Sequence, residues 1–410
     1  MEKNMKNNKT MALGGMAMVA GLAGASAQDS AALFKMGSVE VRPRASYSIV
    51  YDDNIFLDHK KAPAPVGVAG NKAGRDHDFI HTITPGLRLN AGDAAARQSA
   101  YFDANYDLVL TRFSDTSGAD SVDHNGSIEF GGKLNNLGIS VGQSLESRSD
   151  ADASTLAANG RVKRKTWTTD VKSTYEVSEK TTAGLDLQQV IGDYSGLLSD
   201  STERSANLYL DYQVLPKVKM GLGATLGYLD VDGAGNPNSS YQQGLLRLNW
   251  SATEKSSIRA KVGFEHRNIQ SPGIKDPNTL VFEIGADWKA SEQTTVSLNA
   301  GRGTKVSNSL GNQLNEETSV STSIKHNLWE GLTIGLDAGY SVSDYKVASV
   351  GAVDVRKDGY YFVKPSASYR FLERAQATVF YQYRRNDSDL SLNRNDFYNN
   401  QLGLELSYRF

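Results

Sequence analysis

The chain has 410 residues, of which 39% are hydrophobic, and a mean hydropathy of −0.43. It has no Cys, which excludes disulfide scaffolds and thiolate metal sites, and after residue 30 it has no apolar run near the 18 or so residues of a membrane helix. The formal net charge is only −2, so no basic field suggests a nucleic-acid partner.

The first segment has the pattern of a secretory signal peptide. Three lysines make its start positive: Lys3, Lys6 and Lys9. An apolar run follows over 11–23, and Ala25-Ser26-Ala27 has the small-x-small form of a cleavage site. The sequence therefore predicts a signal peptide over residues 1–27 and a mature chain that begins at Gln28.

The rest of the chain is made of segments in which apolar and polar residues alternate strictly, as in a β-strand with one apolar face. Each segment is about 11–16 residues long, which exceeds a typical soluble strand and suits a tilted strand that crosses a bilayer in about 9–11 residues. Eighteen such segments are predicted: 39–51, 79–90, 98–113, 121–133, 136–148, 165–177, 181–193, 204–215, 218–230, 241–252, 256–268, 279–290, 294–306, 317–328, 331–345, 358–371, 374–386 and 397–410.

Short and long connections alternate between these segments. Tight links such as Leu134-Asn135 and Leu372-Glu373 alternate with long polar ones, of which 52–78 is the longest. Outer-membrane barrels have this asymmetry, with tight periplasmic turns and long external loops. We therefore predict an all-β fold, a transmembrane antiparallel up-and-down barrel of about 18 strands over 39–410, preceded by a short periplasmic segment over 28–38.

An aromatic residue recurs near the end of successive descending strands, about 37–41 residues apart, with Leu328 taking one of the places. The recurring residues are Tyr175, Tyr212, Trp250, Trp288, Tyr369 and Tyr408. We expect them to lie at one height as a periplasmic-side interface girdle. A secreted soluble β repeat such as a propeller has a similar period and remains an alternative, although its Gly-His and Trp-Asp signature is missing.

Two short features resemble those of known outer-membrane proteins. Phe410, after alternating apolar residues, resembles the terminal signal read by the barrel assembly machinery, which makes that machinery an expected partner. The element that follows the first strand resembles one that often opens members of the putative beta-barrel porin 2 family: Tyr51, Asp52, Asp53, Asn54, Ile55 and Phe56.

The family resemblance implies a large barrel in the outer membrane of a Gram-negative-type bacterium. Outer-membrane lipids and lipopolysaccharide would then surround the protein. Some members of the family sit beside exopolysaccharide synthesis and export systems. That association would make a periplasmic polysaccharide export protein a further partner.

If the apolar faces meet lipid, the charged faces line the lumen. The predicted acidic lining is Asp103, Asp107, Asp170, Asp186 and Asp211, and the predicted basic lining is Arg42, Arg44, Arg259, Lys261, Arg370 and Arg384. Acidic residues collect on the strands from 98 to 215, and basic ones on 241–270 and 358–409, which 39–50 join on closure. Two opposed walls would orient polar solutes in a channel, while cross-strand ion pairs in a hydrated interior are the alternative.

Six aromatic residues are also expected to face inward: Tyr101, Phe113, Tyr209, Tyr241, Tyr360 and Phe380. Aromatic rings can stack on sugar rings, so they could form a saccharide track. Scattered aromatic side chains in a lumen more commonly fill space.

Catalytic and metal-binding patterns are weak. The sequence has no Gly-x-Ser-x-Gly elbow, and alternation predicts outward positions for His81, His124, His266 and His326. The acidic and histidine residues over 76–81 lack a specific metal spacing, and the cluster 52–54 is more typical of a turn. We expect no enzymatic activity, no metal and no cofactor.

The sequence therefore favours a passive outer-membrane pore, either a general porin or the conduit of a polysaccharide export system. Exclusion would be set by the loop 52–78, folded inward, and by the two charged walls. The alternative is a structural or adhesive surface barrel with a closed lumen and external loops that bind a partner.

Overall fold

A computed structural model describes residues 34–58, 76–92, 97, 99–151, 161–196, 198–233, 238–271, 276–309, 312–346, 356–389 and 395–410. The predicted signal peptide and residues 59–75 of the longest loop lie outside them. No helix among the described residues has the length and apolarity to cross a membrane.

Within these residues the chain forms nineteen strands, and all but the first are 12–18 residues long. They are β1 (Phe34–Met36), β2 (Val39–Asp52), β3 (Asp78–Gly92), β4 (Tyr101–Phe113), β5 (Ser121–Leu134), β6 (Leu137–Asp150), β7 (Val162–Glu176), β8 (Thr181–Tyr194), β9 (Ser201–Leu215), β10 (Val218–Val231), β11 (Ser239–Thr253), β12 (Ser256–Ile269), β13 (Asn278–Lys289), β14 (Thr294–Ser309), β15 (Asn312–Trp329), β16 (Leu332–Lys346), β17 (Lys357–Leu372), β18 (Ala375–Ser388) and β19 (Phe397–Arg409). One 3-10 turn, Ser117–Ala119, follows β4.

The strands close into a barrel. Each of β2–β19 is antiparallel to its neighbours, and β19 pairs with β2 from Gln401↔Asp52 to Arg409↔Arg44. The predicted antiparallel barrel of eighteen strands is thus confirmed. The extra strand β1 lies in the predicted segment 28–38 and pairs only with the start of β2.

The alternation in the sequence separates two faces of this wall. On β10, Leu222 and Leu226 are about three-fifths exposed, whereas the neighbouring Gly221 and Gly227 lie under side chains of adjacent strands. Because closure pairs the backbone groups of every strand, a wall with an apolar outer face can lie in lipid.

The two ends of the barrel differ in their connections. At one end, here called the turn side, the links are tight, as between Leu134 and Leu137 or Trp329 and Leu332. Asn135 and Gly331 take positive φ there, at 53° and 87°, as sharp reversals require. The other end, here called the loop side, carries the long connections.

Buried hydrophobic side chains of the described residues form three clusters, all on the loop side. The first contains Leu57, Ala151 and Phe397, with Tyr360 packed against it. The others are Ile55, Phe56 and Phe113, with Ile80 and Ala119, and Leu229, Val231, Ile269 and Leu314. Two of these clusters contain residues of the segment that follows β2 and lie at the loop-side mouth, whereas the third is formed by the loop-side ends of β10, β12 and β15.

Candidate channel lumen

The family-like element Tyr51–Phe56 is joined to the last strand at the closure seam. Asp52 accepts hydrogen bonds from the Asn54 N–H at 2.8 Å and from the side chains of Asn399 and Gln401 at 2.5 and 2.7 Å. Asp53 accepts two from Asn400, at 2.8 and 2.7 Å. Asn54 and Asn399 are fully buried, so this network fixes the path of the chain as it leaves β2.

The seam network turns the following residues into the barrel mouth. The Asn54 side chain donates to the carbonyl oxygens of Asp58 and Tyr398, both at 3.0 Å, and closes a compact turn around Leu57. Leu57 is 1% exposed and belongs to the cluster with Ala151, at the end of β6, and Tyr360, on β17. Because β6 and β17 are seven strands apart around the ring, one cluster can include both only by bridging the interior.

Arg161, just before β7, covers the same segment from the far wall. Its guanidinium lies 4.7 Å from the ring centre of Phe113, which packs with Ile55 and Phe56, and it donates to the Ser149 carbonyl oxygen. Burial lowers the pKa of Arg161, against the raising effects of Asp150, Asp123 and Asp52. The loop-side mouth is thus narrowed by the segment 55–57 and held by side chains from several strands.

Asp58 ends this inward segment in an unfavourable environment for a charge. Burial, and secondarily the nearby charge of Asp76, raises its pKa to about 6. The Ile55 N–H donates to the Asp76 carbonyl oxygen at 2.9 Å, which brings both ends of the loop 52–78 together.

The charged side chains predicted to line the lumen are largely paired across strands. Arg44 binds Asp107 through two hydrogen bonds of 2.9 and 2.7 Å, and Arg88 binds Asp103 at 2.8 Å. The Arg44–Asp107 pair passes over Gly86 of β3, where an added Cβ would lie 2.0 Å from Asp107 Oδ1. Only glycine leaves room for that pair.

The same pairing continues around the ring. Arg247 binds Asp211 at 2.9 and 3.2 Å, while Arg259–Asp287 and Lys261–Glu283 are at 3.0 and 3.2 Å. Arg42 binds Glu40 at 2.7 Å, and Arg384 donates to Asn399 at 2.6 Å and lies 3.9 Å from Asp52. Ion pairs therefore bridge the boundaries of the two predicted walls, which is the alternative that the sequence left open.

Three predicted lining charges have no ion pair within 4 Å among the described residues. Asp170 accepts from Gln188 at 2.9 Å, and Asp186 accepts from Asn207 at 3.3 Å. Arg370 on β17 has no hydrogen bond to its guanidinium in the described part of the chain. Asp170, Asp186 and Arg370 thus keep no close ion pair among the described residues, although Lys172 on β7 is the register partner of Asp186.

Inward aromatic rings lie between the wall and a cation. An added Cβ on Gly227 would be 2.0 Å from the Tyr241 ring, and the Arg267 guanidinium lies 4.4 Å from the centre of that ring. Three further rings share this arrangement: Tyr101 with Gly131 and Arg97, Tyr209 with Gly184 and Arg247, and Phe380 with Gly403 and Lys364. Both faces of these rings are occupied, so they offer no free surface for a sugar ring.

The histidines considered for catalysis are hydrogen-bonded to tyrosine or to other polar side chains. His81 and His124 each share a 2.8 Å hydrogen bond, with Tyr47 and Tyr106 respectively.

The acidic residue Asp78, considered for metal binding, accepts hydrogen bonds from the backbone N–H groups of Ser114 to Thr116. Among the described residues, no group of three or more His, Asp and Glu side chains is arranged to hold a metal.

The aromatic residues predicted as a girdle are exposed and lie close to the tight turns. Examples are Tyr175 at 50%, Trp288 at 54% and Tyr408 at 39% exposed. Trp250 pairs with Val218, Tyr369 with Leu332 and Tyr212 with Thr181, each at the first residue of a strand on the turn side. Phe410 packs edge-on against Tyr408, and its N–H donates to the Pro43 carbonyl oxygen at 3.1 Å.

A second aromatic band on the loop side was not predicted. Tyr340 pairs with Tyr361, Tyr51 pairs with Phe79, and the Tyr383 ring centre lies 5.9 Å from that of Tyr361. Tyr398 on β19 lies near the same end of the barrel. Tyr361 and Tyr369 are eight residues apart on β17, and Tyr398 and Tyr408 ten on β19, which is roughly 20–25 Å along a tilted barrel axis. Two such bands frame an apolar belt of bilayer height.

Solved structures with similar chains are outer-membrane porins. OccAB3 of Acinetobacter baumannii is 12% identical, with 90% of this chain and 99% of that chain covered and a TM-score of 0.46. A BenF-like porin from Pseudomonas fluorescens Pf-5 is 11% identical, with coverage of 90% and 99% and a TM-score of 0.47. The outer membrane protein opdK from Pseudomonas aeruginosa is 10% identical, with coverage of 90% and 98% and a TM-score of 0.47.

No curated protein matches this chain. The family model described as putative beta-barrel porin 2 matches residues 199–410, more than half of the chain. That match spans β9–β19 completely, including the half of the closure seam that binds Asp52 and Asp53. The chain therefore belongs to the putative beta-barrel porin 2 family and is an outer-membrane β-barrel protein of Gram-negative bacteria.

Proposed function

We propose that this porin is a narrow passive channel for polar solutes, with size exclusion set at the loop-side mouth by residues 55–57. The observation that carries the proposal is the position of Leu57, buried in a cluster that joins β6 to β17 across the interior. An eighteen-stranded ring is otherwise wide enough for an aqueous passage. The proposed activity is diffusion and involves no catalysis.

Charge and hydrogen bonding, rather than ring stacking, would select the solute. The inward rings of Tyr101, Tyr209, Tyr241 and Phe380 are covered on both faces, whereas Asp170 and Arg370 have no ion pair within 4 Å among the described residues. A hydrated lumen lined by such groups favours small polar or charged solutes.

Single-channel recording of the purified protein in planar bilayers tests the proposal. The wild type is expected to give small ohmic steps. The variant Ile55→Ser/Phe56→Ser/Leu57→Ser is expected to give steps several times larger, because it removes the apolar contacts that hold the segment across the mouth. Leu198→Ser, at a buried loop-side leucine outside the three clusters, is the matched control.

Each outcome of this experiment separates the candidates. Equal conductance of the variant and the wild type would remove residues 55–57 as the constriction. A wild type without steps and a variant with steps would favour the second candidate, a structural or adhesive barrel with a closed lumen. That candidate is supported by the three apolar clusters on the loop side.

The cargo is a separate part of the proposal. A secreted polysaccharide remains the alternative to small solutes, and it would have to pass the 55–57 segment as an extended chain. Deletion of the gene distinguishes the two. Loss of surface polysaccharide with normal uptake of small solutes would identify an exporter, whereas slower uptake with unchanged polysaccharide would identify a general porin.

A further inference from the structure

Arginine side chains crowd one sector of the turn-side mouth. Arg409 on β19 pairs directly with Arg44 on β2, and Arg42 pairs with Arg88 on β3. Arg374 lies in the turn before β18, and its carbonyl oxygen accepts the Arg409 N–H at 2.9 Å. Like charges in directly opposed positions destabilise a sheet, so this arrangement needs a compensating anion.

Protein carboxylates compensate only part of this sector. Asp107, Asp103 and Glu40 bind Arg44, Arg88 and Arg42 at 2.7–2.8 Å. Arg374 and Arg409, together with Arg370 near the turn-side end of β17, have no carboxylate within 4 Å among the described residues. We call these three residues the arginine arc. Their guanidinium groups therefore keep their hydrogen-bond donors for a ligand.

The arc faces the lumen rather than the lipid. Arg370 follows Tyr369 and Arg409 follows Tyr408, and both tyrosines are exposed on the outer face. Since side chains alternate along a strand, the two arginines point to the inner face. Arg370 and Arg409 are themselves exposed, at the entrance that opens beside the tight turns.

The opposite side of the ring carries two of the predicted acidic residues. β8 and β17 are nine strands apart in a ring of eighteen, so Asp186 on β8 and Arg370 on β17 lie on facing walls. Asp170 on β7 and Asp186 have amide partners but no cation within 4 Å in the described part of the chain. An anion at this mouth is thus attracted by the arginine arc, whereas β7 and β8 carry both Asp186 and its register partner Lys172.

We propose that the arginine arc is an anion-recognition site that admits solutes or polymers with carboxylate, sulfate or phosphate groups from the turn side of the channel. Planar guanidinium groups bind such oxyanions with two parallel hydrogen bonds, and three of them together favour a ligand with several negative groups. This inference rests on the proposed channel function and names the class of its substrate.

Ion selectivity in planar bilayers tests the site. We expect the variant Arg370→Gln/Arg374→Gln/Arg409→Gln to lower the chloride-to-potassium permeability ratio at least about twofold, as measured by the reversal potential in a KCl gradient. Arg112→Gln is the control, because Arg112 lies on the loop side and pairs with His81 on the outer face. An unchanged ratio in the triple variant would overturn the proposal.

Block by citrate, a trivalent carboxylate, tests the sidedness. Citrate added on the turn side should reduce wild-type current at concentrations about tenfold lower than on the loop side, and the triple variant should lose this difference. Since the chain has no Cys, Ser271→Cys on the loop side with an impermeant maleimide reports the orientation of the inserted channel. Equal block from both sides would contradict a turn-side site.

Failure of the channel itself gives a different result. If the wild type carries no current, citrate binding to the detergent-solubilised barrel can still be measured by calorimetry. If the wild type binds citrate and the triple variant does not, the arginine arc is supported as an anion site although the protein is not a channel. No difference between the two proteins would refute the arc, whatever the conductance.

Discussion

The two mouths of this barrel are built on opposite principles. On the loop side, Asp52, Asn54, Leu57 and Asn399 are almost completely buried in one network of hydrogen bonds and apolar contacts. On the turn side, several charged side chains are half exposed, as in the Arg259–Asp287 pair, where both partners keep nearly half of their surface, although the Arg247–Asp211 pair at the same height is largely buried. One mouth is packed like a protein interior and the other is hydrated.

This difference separates two tasks that a selective channel must perform. A hydrated, charged mouth can attract a solute by its charge, because mobile side chains and water adapt to different ligands. A packed mouth can exclude by size, because its shape is fixed by buried contacts. The proposal that the turn side selects charge and the loop side selects size leads to the following predictions.

The largest expected effect comes from removing the seam carboxylate. Asp52→Ala removes the acceptor of the Asn54 N–H and of the Gln401 side chain. It also removes the nearest acceptor of the Asn399 side chain, which keeps only longer contacts at 3.4 and 3.5 Å. Unsatisfied buried donors cost about 1–3 kcal/mol each, so we expect a loss of about 3 kcal/mol or more and a clearly lower unfolding temperature in gel-shift assays of heat modification.

The matched variant on the turn side is Asp287→Ala. It removes an exposed ion pair with Arg259, which should cost less than about 1 kcal/mol. Equal destabilisation by the two variants would contradict the contrast between a packed and a hydrated mouth.

A smaller effect is expected where an aromatic ring lies on a glycine. Gly227→Ala places a methyl group 2.0 Å from the Tyr241 ring, which is also held by Glu203 at 2.7 Å and by Arg267. Overpacking of this kind costs about 1–3 kcal/mol. Gly244→Ala, on β11, meets no atom within 4 Å and should change stability by less than about 0.5 kcal/mol. Urea titration of both variants measures the difference, and a neutral Gly227→Ala would mean that the ring is free to move.

The smallest effect is a pH dependence confined to the loop side. The pKa of Asp58 is raised to about 6 by burial and by Asp76, so the folded state binds the proton more tightly than the unfolded state. The stabilisation from a neutral Asp58 is complete below about pH 4 and is lost as the pH rises through 6. The wild type should therefore gain thermal stability between pH 7 and pH 5 relative to Asp58→Asn. Parallel pH profiles of the two proteins would exclude this role.

Much of the wall could be predicted because its physics is local. A strand in lipid must be apolar on one face, so Leu402, Leu404 and Leu406 reveal β19 without knowledge of its partners. The short strand β1 was not predicted, since three residues carry no alternation. The loop-side aromatic band was missed because strands of unequal length place its tyrosines at irregular sequence intervals.

The interior was harder to predict because its contacts join distant parts of the chain. Asp52 and Asp53 are typical turn residues, and only closure brings Asn399 and Asn400 to them. The separation of charges by sign along the sequence suggested two clean walls. In the folded barrel, side chains reach past a neighbouring strand to an opposite charge, as Arg44 does over Gly86 to Asp107. Such pairs neutralise many of the charges that the sequence separates by sign.

The sequence by itself determined the fold class and the number of transmembrane strands, because the residues of each strand show by their alternation which face meets lipid and which meets water. Only the tertiary structure decided which mouth is narrowed by apolar contacts and which charges keep no close ion pair. Those properties depend on residues brought together by closure of the ring, and no local pattern in the chain records them.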